Sequence, residues 1–552
     1  MKHFVQSVLN ILTHHEKVRF GLNTIFDLLI GVLDIVFLGL LLVVINFYST
    51  NPITANHFLQ HFSFNKNSLL LIGLFCALYT LKNWLAYRIT KAQNSFFYDI
   101  SSRLSKQNIL EYLKQDYHKF INIDSSVYIR RISQQPIEFS NYILTNIQQV
   151  ISQSILIFFT IIGILFYHPS LFLSLFLLLM PPVVLLGYFI KRKLKDVRTH
   201  SKLTSQLTLQ YLKESLSGYI ESNIYDKNSF FTNRYYHHQK QLNEYIATQQ
   251  TLQGLPSRLI EVFAVFGFLI LIAINKYTVN NQGIGLLDIG VFMAASYKII
   301  PGIVKILNSC GQIKTYEFTL NDLQPNNKIV NDEPPATYID SIKFCRIGFK
   351  YRHRQILNNF CLEMNRGDFV GISGSSGLGK TTIINLLLGF LEQDNGIVVI
   401  NHAETNAVDR QSYWNRISYL KQQSFFINDS ILKNVTLTNG NYDAEKLAEV
   451  FAFCGIDNVL NQYSEGIHKV ITENGKNISG GQRQRLMLAR ALYHDFDVLI
   501  LDEPFSELDQ TSEKTILTKL ELLAKKGKMI IMITHNSTAL SFCSKVISLD
   551  EN

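Results

Sequence analysis

The sequence predicts a multi-domain chain: an α-helical bundle of six membrane-spanning helices, followed by an α/β domain built on a phosphate-binding loop. Three observations predict it. Charged residues make up 17% of the 552 residues and apolar ones 47%, whereas a soluble domain carries about 25% charged residues. Long apolar runs are confined to the part before about residue 320. Beyond a proline-bearing stretch the pattern becomes short apolar strands alternating with helices, one of which opens on a glycine-rich loop. The boundaries read as 1–322 for the membrane part, 323–338 for a linker with Pro325, Pro334 and Pro335, and 339–552 for the α/β part.

The apolar runs extend from Phe20 to Phe47, Leu69 to Tyr87, Tyr142 to Tyr167, Leu171 to Ile190, Leu259 to Ile274 and Ile284 to Ile306. A helix rises 1.5 Å per residue, so about 20 apolar residues cross a hydrocarbon core of about 30 Å. Arg88, Lys91, Arg103, Lys106, Lys114, Lys119, Arg130 and Arg131 crowd one connecting segment, and 191–240 is similarly basic. The opposite connections carry almost no lysine or arginine, Lys66 in one and Lys276 in another, with His168 in the third. Basic residues stay on the cytoplasmic side. Both ends and the α/β part are therefore expected in the cytoplasm, with the long basic connections continuing the spanning helices. The net charge of +9 belongs to membrane orientation, so no nucleic-acid partner is expected. Six cysteines, Cys76, Cys310, Cys345, Cys361, Cys454 and Cys543, form no CxxC pair and read as reduced thiols. The first nineteen residues hold no small-residue cleavage site, so no removable signal peptide is expected.

Gly374-Ser375-Ser376-Gly377-Leu378-Gly379-Lys380-Thr381 fits G-x-x-x-x-G-K-[ST] and lies between an apolar strand, Phe369 to Ile372, and a helix from Thr382. Glycines let backbone N–H groups wrap phosphates, and the helix N-terminus adds partial positive charge. Lys380 is expected on the β- and γ-phosphates of ATP and Thr381 on Mg²⁺. Val498 to Asp502 reads as a buried strand ending in Asp502 and Glu503. Asp502 suits Mg²⁺, and Glu503 suits polarisation of an attacking water.

Further residues carry a resemblance. Ile478-Ser479-Gly480-Gly481-Gln482 resembles the signature of ABC ATPases, Gln422 their Q-loop glutamine, Ser506-Glu507-Leu508-Asp509 their D-loop, His535 their switch histidine, and Tyr351 their adenine-stacking aromatic. The resemblance covers the whole α/β part. It implies ATP held between two ATPase domains, with Gln422 also near Mg²⁺, and with Ser479, Gly480, Gly481, Gln482 and Asp509 serving the nucleotide across the pair. One membrane half and one ATPase half on one chain imply a second copy as partner. Six spans with long cytoplasmic extensions resemble the exporter subclass, in which short helices, here near Tyr117 to Ser126 and Ile224 to Phe231, transmit ATPase closure.

The cargo is read from charge at membrane depth, where ionisable residues usually face a cavity or a partner. Asn23, Asp27, Gly31 and Asp34 share one helical face, as do Asn141, Thr145, Gln148, Gln149 and Ser152. Lys82, Arg258, Lys298 and Lys305 form a candidate cationic belt for an anionic headgroup. The competing reading has them snorkel, or pair with Asp34, Glu261 and Asp288. Leu255 to Glu261 and Ala294 to Pro301 resemble the fifth and sixth spans of bacterial lipid-linked oligosaccharide flippases. That resemblance implies a pyrophosphate-linked amphipathic cargo in a bacterial inner membrane, contacting membrane lipids. Family members often have arginine where Lys298 and Lys305 stand, which removes the bidentate fork. A lipid or multidrug exporter is the runner-up. An ATP-gated channel or regulator ranks lower, since Glu503, His535 and ISGGQ are intact and the chain stops at Asn552 soon after the H-loop. A peptide exporter that cleaves leader sequences is disfavoured because no peptidase domain precedes the first span, and an importer because importers usually keep the two parts on separate chains.

Overall fold

The computed structural model describes residues 2–49, 69–114, 117, 123–167, 169–277, 286–323, 338–352 and 354–550. The chain divides into two units, residues 1–115 with 122–328, and 116–121 with 329–552. The region 324–337, which holds most of the expected linker, lies outside the described residues.

In the first unit a short helix, α1 (Lys2–Ile11), precedes long helices α2 (His14–Ser49), α3 (Leu70–Leu113), α4 (Thr145–Tyr167), α5 (Pro169–Ser217), α6 (Asn228–Tyr277) and α7 (Leu286–Tyr316). These six match the six apolar runs, and α3, α5 and α6 continue well past their apolar stretches into the basic segments. Where side chains are described, His14–Leu41, Leu70–Leu113 and Ser125–Ile162 are long and apolar enough to cross a membrane by length and composition. The approach to α4 is helical from Ser125 but interrupted by two π segments, Arg130–Gln134 and Phe139–Leu144. A core of Val8, Phe96, Phe97, Ile100, Phe139 and Ile143 packs α1 and α3 against this stretch and against Leu320 and Leu323. Of the first expected transmission segment, 118–122 lie outside the described residues, and a single helical turn, Ser125–Ile129, starts at its end; the short helix Tyr219–Ile224 precedes the second expected segment, whose residues from Asn228 open α6.

The second unit holds two main sheets. β1 (Ser341–Tyr351), β2 (Arg354–Asn365), β4 (Asn395–Ile400) and β5 (Ala403–Thr405) form an antiparallel sheet in the order β2-β1-β4-β5. β3 (Phe369–Ser373), β6 (Ile417–Leu420), β9 (Val498–Asp502), β10 (Met529–Ile533) and β11 (Lys545–Ser548) form a parallel sheet in the order β11-β3-β10-β9-β6. β7 (Asp429–Ser430) pairs with β8 (Val470–Ile471). The central parallel strands are almost wholly apolar because both faces are covered. Phe369, Leu499, Leu501, Ile530 and Met532 join one core, while Val370, Ile372, Val498, Ile500, Ile531 and Ile533 join the other. Alternation along a strand divides the two faces. Helices α8 (Lys380–Leu387), α9 (Gly480–Tyr493) and α10 (Gln510–Lys525) complete the elements that carry the motifs.

Candidate functional site: a phosphate loop at the carboxyl edge of a parallel sheet

In open α/β sheets, ligands bind beyond the carboxyl ends of the strands. Register brings the predicted residues to that edge. Ile533 pairs with Ile372 of β3 and with Asp502 of β9, and Leu501 pairs with Leu420 of β6. The segments just past these ends are the phosphate loop, His535, Glu503 and Gln422, so four motifs that are far apart in sequence end at one level.

The phosphate loop is shaped by glycine. Gly374, Gly377 and Gly379 have φ of +145°, +87° and +100°, a region that L side chains rarely adopt. At Gly379 a Cβ would also lie 2.7 Å from Ile356 Cγ2, so the β1–β2 hairpin lies against the loop. Tyr351 ends β1, is 46% exposed and packs perpendicular to the Phe349 ring at 4.9 Å between centroids. Lys380 and Thr381 open α8 and Thr382 is buried behind them. Lys380 Nζ donates to the Gly374 carbonyl, to Ser375 O at 3.3 Å and to His535 Nε2 at 2.8 Å. His535 Nε2 is also 3.4 Å from Glu503 Oε1.

Glu503 has φ of +52°, an uncommon conformation for a non-glycine residue that points to a functional constraint. Its N–H donates to Ile533 O at 3.0 Å, which turns the chain sharply out of β9. Asp502 stays 7% exposed. Burial, and then the charge of Glu503, push its carboxyl above the ordinary range. The Tyr419 hydroxyl, raised by its own burial, makes a long 3.5 Å contact with Asp502 Oδ2.

The ISGGQ residues form a separate cluster. Ser479 caps α9 in a capping box with Gln482. Gln482 Nε2 donates to Gln462 at 2.9 Å. A Cβ on Gly480 would lie 1.8 Å from Glu507 Oε2, and one on Gly481 3.2 Å from Glu507 O. Arg483 pairs with Glu507 at 3.2 Å, and Gln484 bonds Ser506 at 2.7 Å and accepts from Glu507 N at 2.9 Å. Asp509 caps α10, and the Thr511 hydroxyl followed by Ser512 hold its carboxyl well below the usual range. Among the described residues no hydrogen bond joins Ser479–Gln482 to Gly374–Thr381.

Sequence reasoning missed several residues. Asp550 accepts from Ser375 N at 3.0 Å and Ser375 Oγ at 2.7 Å; the Ser375 N–H, then its hydroxyl, hold the Asp550 carboxyl below its usual range. β11 runs beside β3, so an acid just past its end was the available signal. Tyr117 groups with the second unit and stacks on Phe390 at 4.4 Å between centroids. The sequence marked Tyr117 but not its partner.

In the first unit, Lys82 requires a correction. It is 7% exposed and forms a salt bridge with Asp34, so its charge is met within the protein and it is not a cation available to a headgroup. Arg258 and Lys305 are exposed, and neither pairs with Glu261 or any other acid among the described residues. The side chains of Lys298 and Asp288 lie outside the described residues. Ser152 donates to Asp27 Oδ2, Gln149 receives from Ser309 at 3.2 Å and Asn146 bonds Gln312 at 2.7 Å. The shared polar faces of the first and third apolar runs thus meet each other and the last helix.

A phosphate loop, paired acids and a histidine at one sheet edge define a P-loop nucleotide-binding domain. Residues 357–506 match the ABC transporter family model. The chain is 35% identical over 214 residues to a putative export ATP-binding/permease protein of Rickettsia typhi, covering 38% of this chain and 37% of that one. It is 25% identical over 468 residues to the ATP-dependent lipid A-core flippase of Burkholderia thailandensis, covering 81% and 77%. The fold matches that of a bacterial Atm1-family ABC exporter solved with ATP bound, with a TM-score of 0.80 at 18% identity over 97% and 94% of the two chains. The matches at 30% identity or more span 37–41% of those relatives' own length. Residues 357–506 are thus an ABC transporter ATPase domain, and the chain has the fold of an ABC exporter, a helical region followed by that domain.

Proposed function

We propose that this protein is an ATP-driven exporter that works as a homodimer and moves an anionic, lipid-linked amphipathic molecule out of the cytoplasmic leaflet of a bacterial inner membrane. The observation that carries the proposal is the convergence of Lys380, Asp502, Glu503 and His535 at one sheet edge, in a chain whose other unit is a bundle of apolar helices.

Tyr351 stacks on the adenine, and the N–H groups of Gly374 to Thr382 cradle the phosphates. Lys380 Nζ exchanges the loop carbonyls for β- and γ-phosphate oxygens, which keeps its charge satisfied in a half-buried place. Glu503 accepts a proton from water as the water oxygen attacks the γ-phosphorus and the bond to the β-bridging oxygen breaks. His535, within reach of both Lys380 and Glu503, orients the γ-phosphate oxygens between them. Mg²⁺ takes few protein ligands and keeps waters and phosphate oxygens. The oxygen donors Thr381, Gln422 and Asp502 fit that demand, and the ion supplies neutralisation of phosphate charge. Ser479 to Gln482 and Asp509 serve the partner's nucleotide, a role supported by their separation from their own phosphate loop among the described residues. Arg258, Lys298 and Lys305 meet the anionic headgroup.

The test is ATP-dependent lipid translocation by purified protein in liposomes, with Glu503→Gln as the control. Translocation unaffected by Glu503→Gln contradicts the mechanism. Cross-linking Ser479→Cys to Ser376→Cys of a second copy in the presence of ATP checks the dimer, and ATPase activity from a demonstrated monomer rules it out. A second reading, export of a lipid other than a lipid-linked oligosaccharide, is supported by the extended match to a lipid A-core flippase.

A further inference from the structure

Three helices of the first unit border a cavity of about 240 Å³ lined by Asp27 and Asp34 of α2, Gln153 and Thr160 of α4, and Gly302 and Lys305 of α7. Its walls are closely packed. A Cβ on Gly31 would lie 2.5 Å from Leu156, and one on Gly302 3.1 Å from Ile157 and 3.3 Å from Gln153 Oε1, the small-residue packing of membrane helices. The cavity is below the ~300–1,000 Å³ of pockets that take drug-sized ligands. It suits the small charged part of a headgroup rather than a lipid chain or an oligosaccharide.

The charges on its wall are not all paired among the described residues. Asp34 is matched by Lys82. Asp27 has one oxygen held by the hydroxyl of Ser152, itself fully buried, and no cation pairs with it among the described residues. Lys305 likewise has no acid partner among them. A carboxylate and an ammonium thus face one small cavity at membrane depth, each needing a counter-charge where charge is poorly solvated. An anion alone would satisfy Lys305 and be repelled by Asp27.

We infer that this cavity recognises a headgroup carrying both a phosphate and a protonated amine, with the phosphate on Lys305 and the ammonium on Asp27. The inference rests on the export reading and narrows its cargo to amine-bearing phospholipid headgroups, the amine belonging either to an ethanolamine or to an amino sugar. Ser152 fixes the Asp27 carboxylate by one oxygen and leaves the other for the ammonium.

The test uses the full-length protein in nanodiscs of neutral lipid doped with one of four probes: phosphatidylethanolamine, its N-acetylated form, a glucosamine-bearing phospholipid, or that lipid N-acetylated. The readout is the lipid concentration that half-maximally stimulates ATPase. At least one amine lipid should act at roughly tenfold lower concentration than its acetylated counterpart, the size of one charge-assisted contact, and which one does so identifies the source of the amine. Asp27→Asn should erase that preference, Lys305→Gln should weaken amine and acetylated lipids alike, and Ser152→Ala, which keeps the carboxylate, should retain the preference. Equal potency of both lipids in each pair for the unmodified protein overturns the inference, as does a preference that survives in Asp27→Asn. Failure of the export reading has a separate signature, since no lipid would then be moved with ATP by the unmodified protein in liposomes.

Discussion

In the second unit Lys380, Glu503 and His535 hold their charged ends partly exposed and within reach of one another, with His535 52% and Glu503 22% exposed. In the first unit Lys82 is 7% exposed and closed upon Asp34. The two regions contain similar residues used differently. At the sheet edge, the strained backbone of Glu503 and the positive-φ turns that the glycines permit fix side chains that remain available to a ligand. Between the helices that border the cavity, Lys82 and Asp34 consume each other's charge, while Asp27 and Lys305 remain open to it. Availability, more than residue type, separates a chemical site from a structural pair.

The largest expected effect tests the available group. Glu503→Gln should lower ATP turnover by roughly 10²- to 10⁴-fold, the range of general-base contributions, while nucleotide binding, followed by fluorescent ATP titration, stays near normal. Retained turnover would place the base elsewhere. The consumed pair behaves differently. Lys82→Met removes the Lys82 ammonium from Asp34 and should destabilise the membrane unit by about 2 kcal/mol, less than for a fully buried pair because Asp34 is a third exposed. Lys82→Met combined with Asp34→Leu should recover most of that loss in thermal unfolding of the reconstituted protein. Simple addition of the two losses would show that the ion pair is not coupled.

Two smaller effects sharpen the picture of the second unit. Gly480→Ala drives a methyl into the Glu507 carboxylate. Overpacking costs about 1–3 kcal/mol, so turnover should fall roughly tenfold if Glu507 must keep its place, while binding at the same chain's phosphate loop changes little. Unaltered turnover would mean that Glu507 yields freely. Ser375→Ala removes one of two bonds to the exposed Asp550, so its effect should be the smallest of these. Nucleotide affinity should shift by less than Asp550→Ala shifts it, since the latter removes both bonds. Equal shifts would assign the whole contact to the hydroxyl.

The same contrast explains what was legible in the sequence. The phosphate loop and the Asp502–Glu503 strand end are contiguous segments whose residue types are dictated by local backbone geometry, so their pattern reveals them, while the ISGGQ turn was legible through its resemblance to the ABC signature. Their convergence follows from parallel register, which short apolar strands do not specify one by one. Partnerships across long separations were hidden: Ser375 with Asp550, Gly480 with Glu507 and Tyr117 with Phe390. Lys82 and Asp34 were legible as membrane-depth charges, but two rows of charge on two helices fit both pairing and a shared cavity. Only the side-chain positions separate those readings, consuming Lys82 and leaving Asp27, which the cationic reading had not used.

The π segments at Arg130–Gln134 and Phe139–Leu144 have a consequence for how this helix tolerates changes of length. Each residue of an α-helix turns the chain by about 100°, so one residue gained or lost ordinarily swings every later side chain to another face. A π turn is a place where the helix already accommodates a wider loop of backbone. Removing a single residue within either segment can therefore be absorbed by tightening it to α geometry, leaving Ser152 and Gln153 on the faces they now occupy. Related chains are expected to show single-residue gaps at these two places and an ungapped helix beyond them.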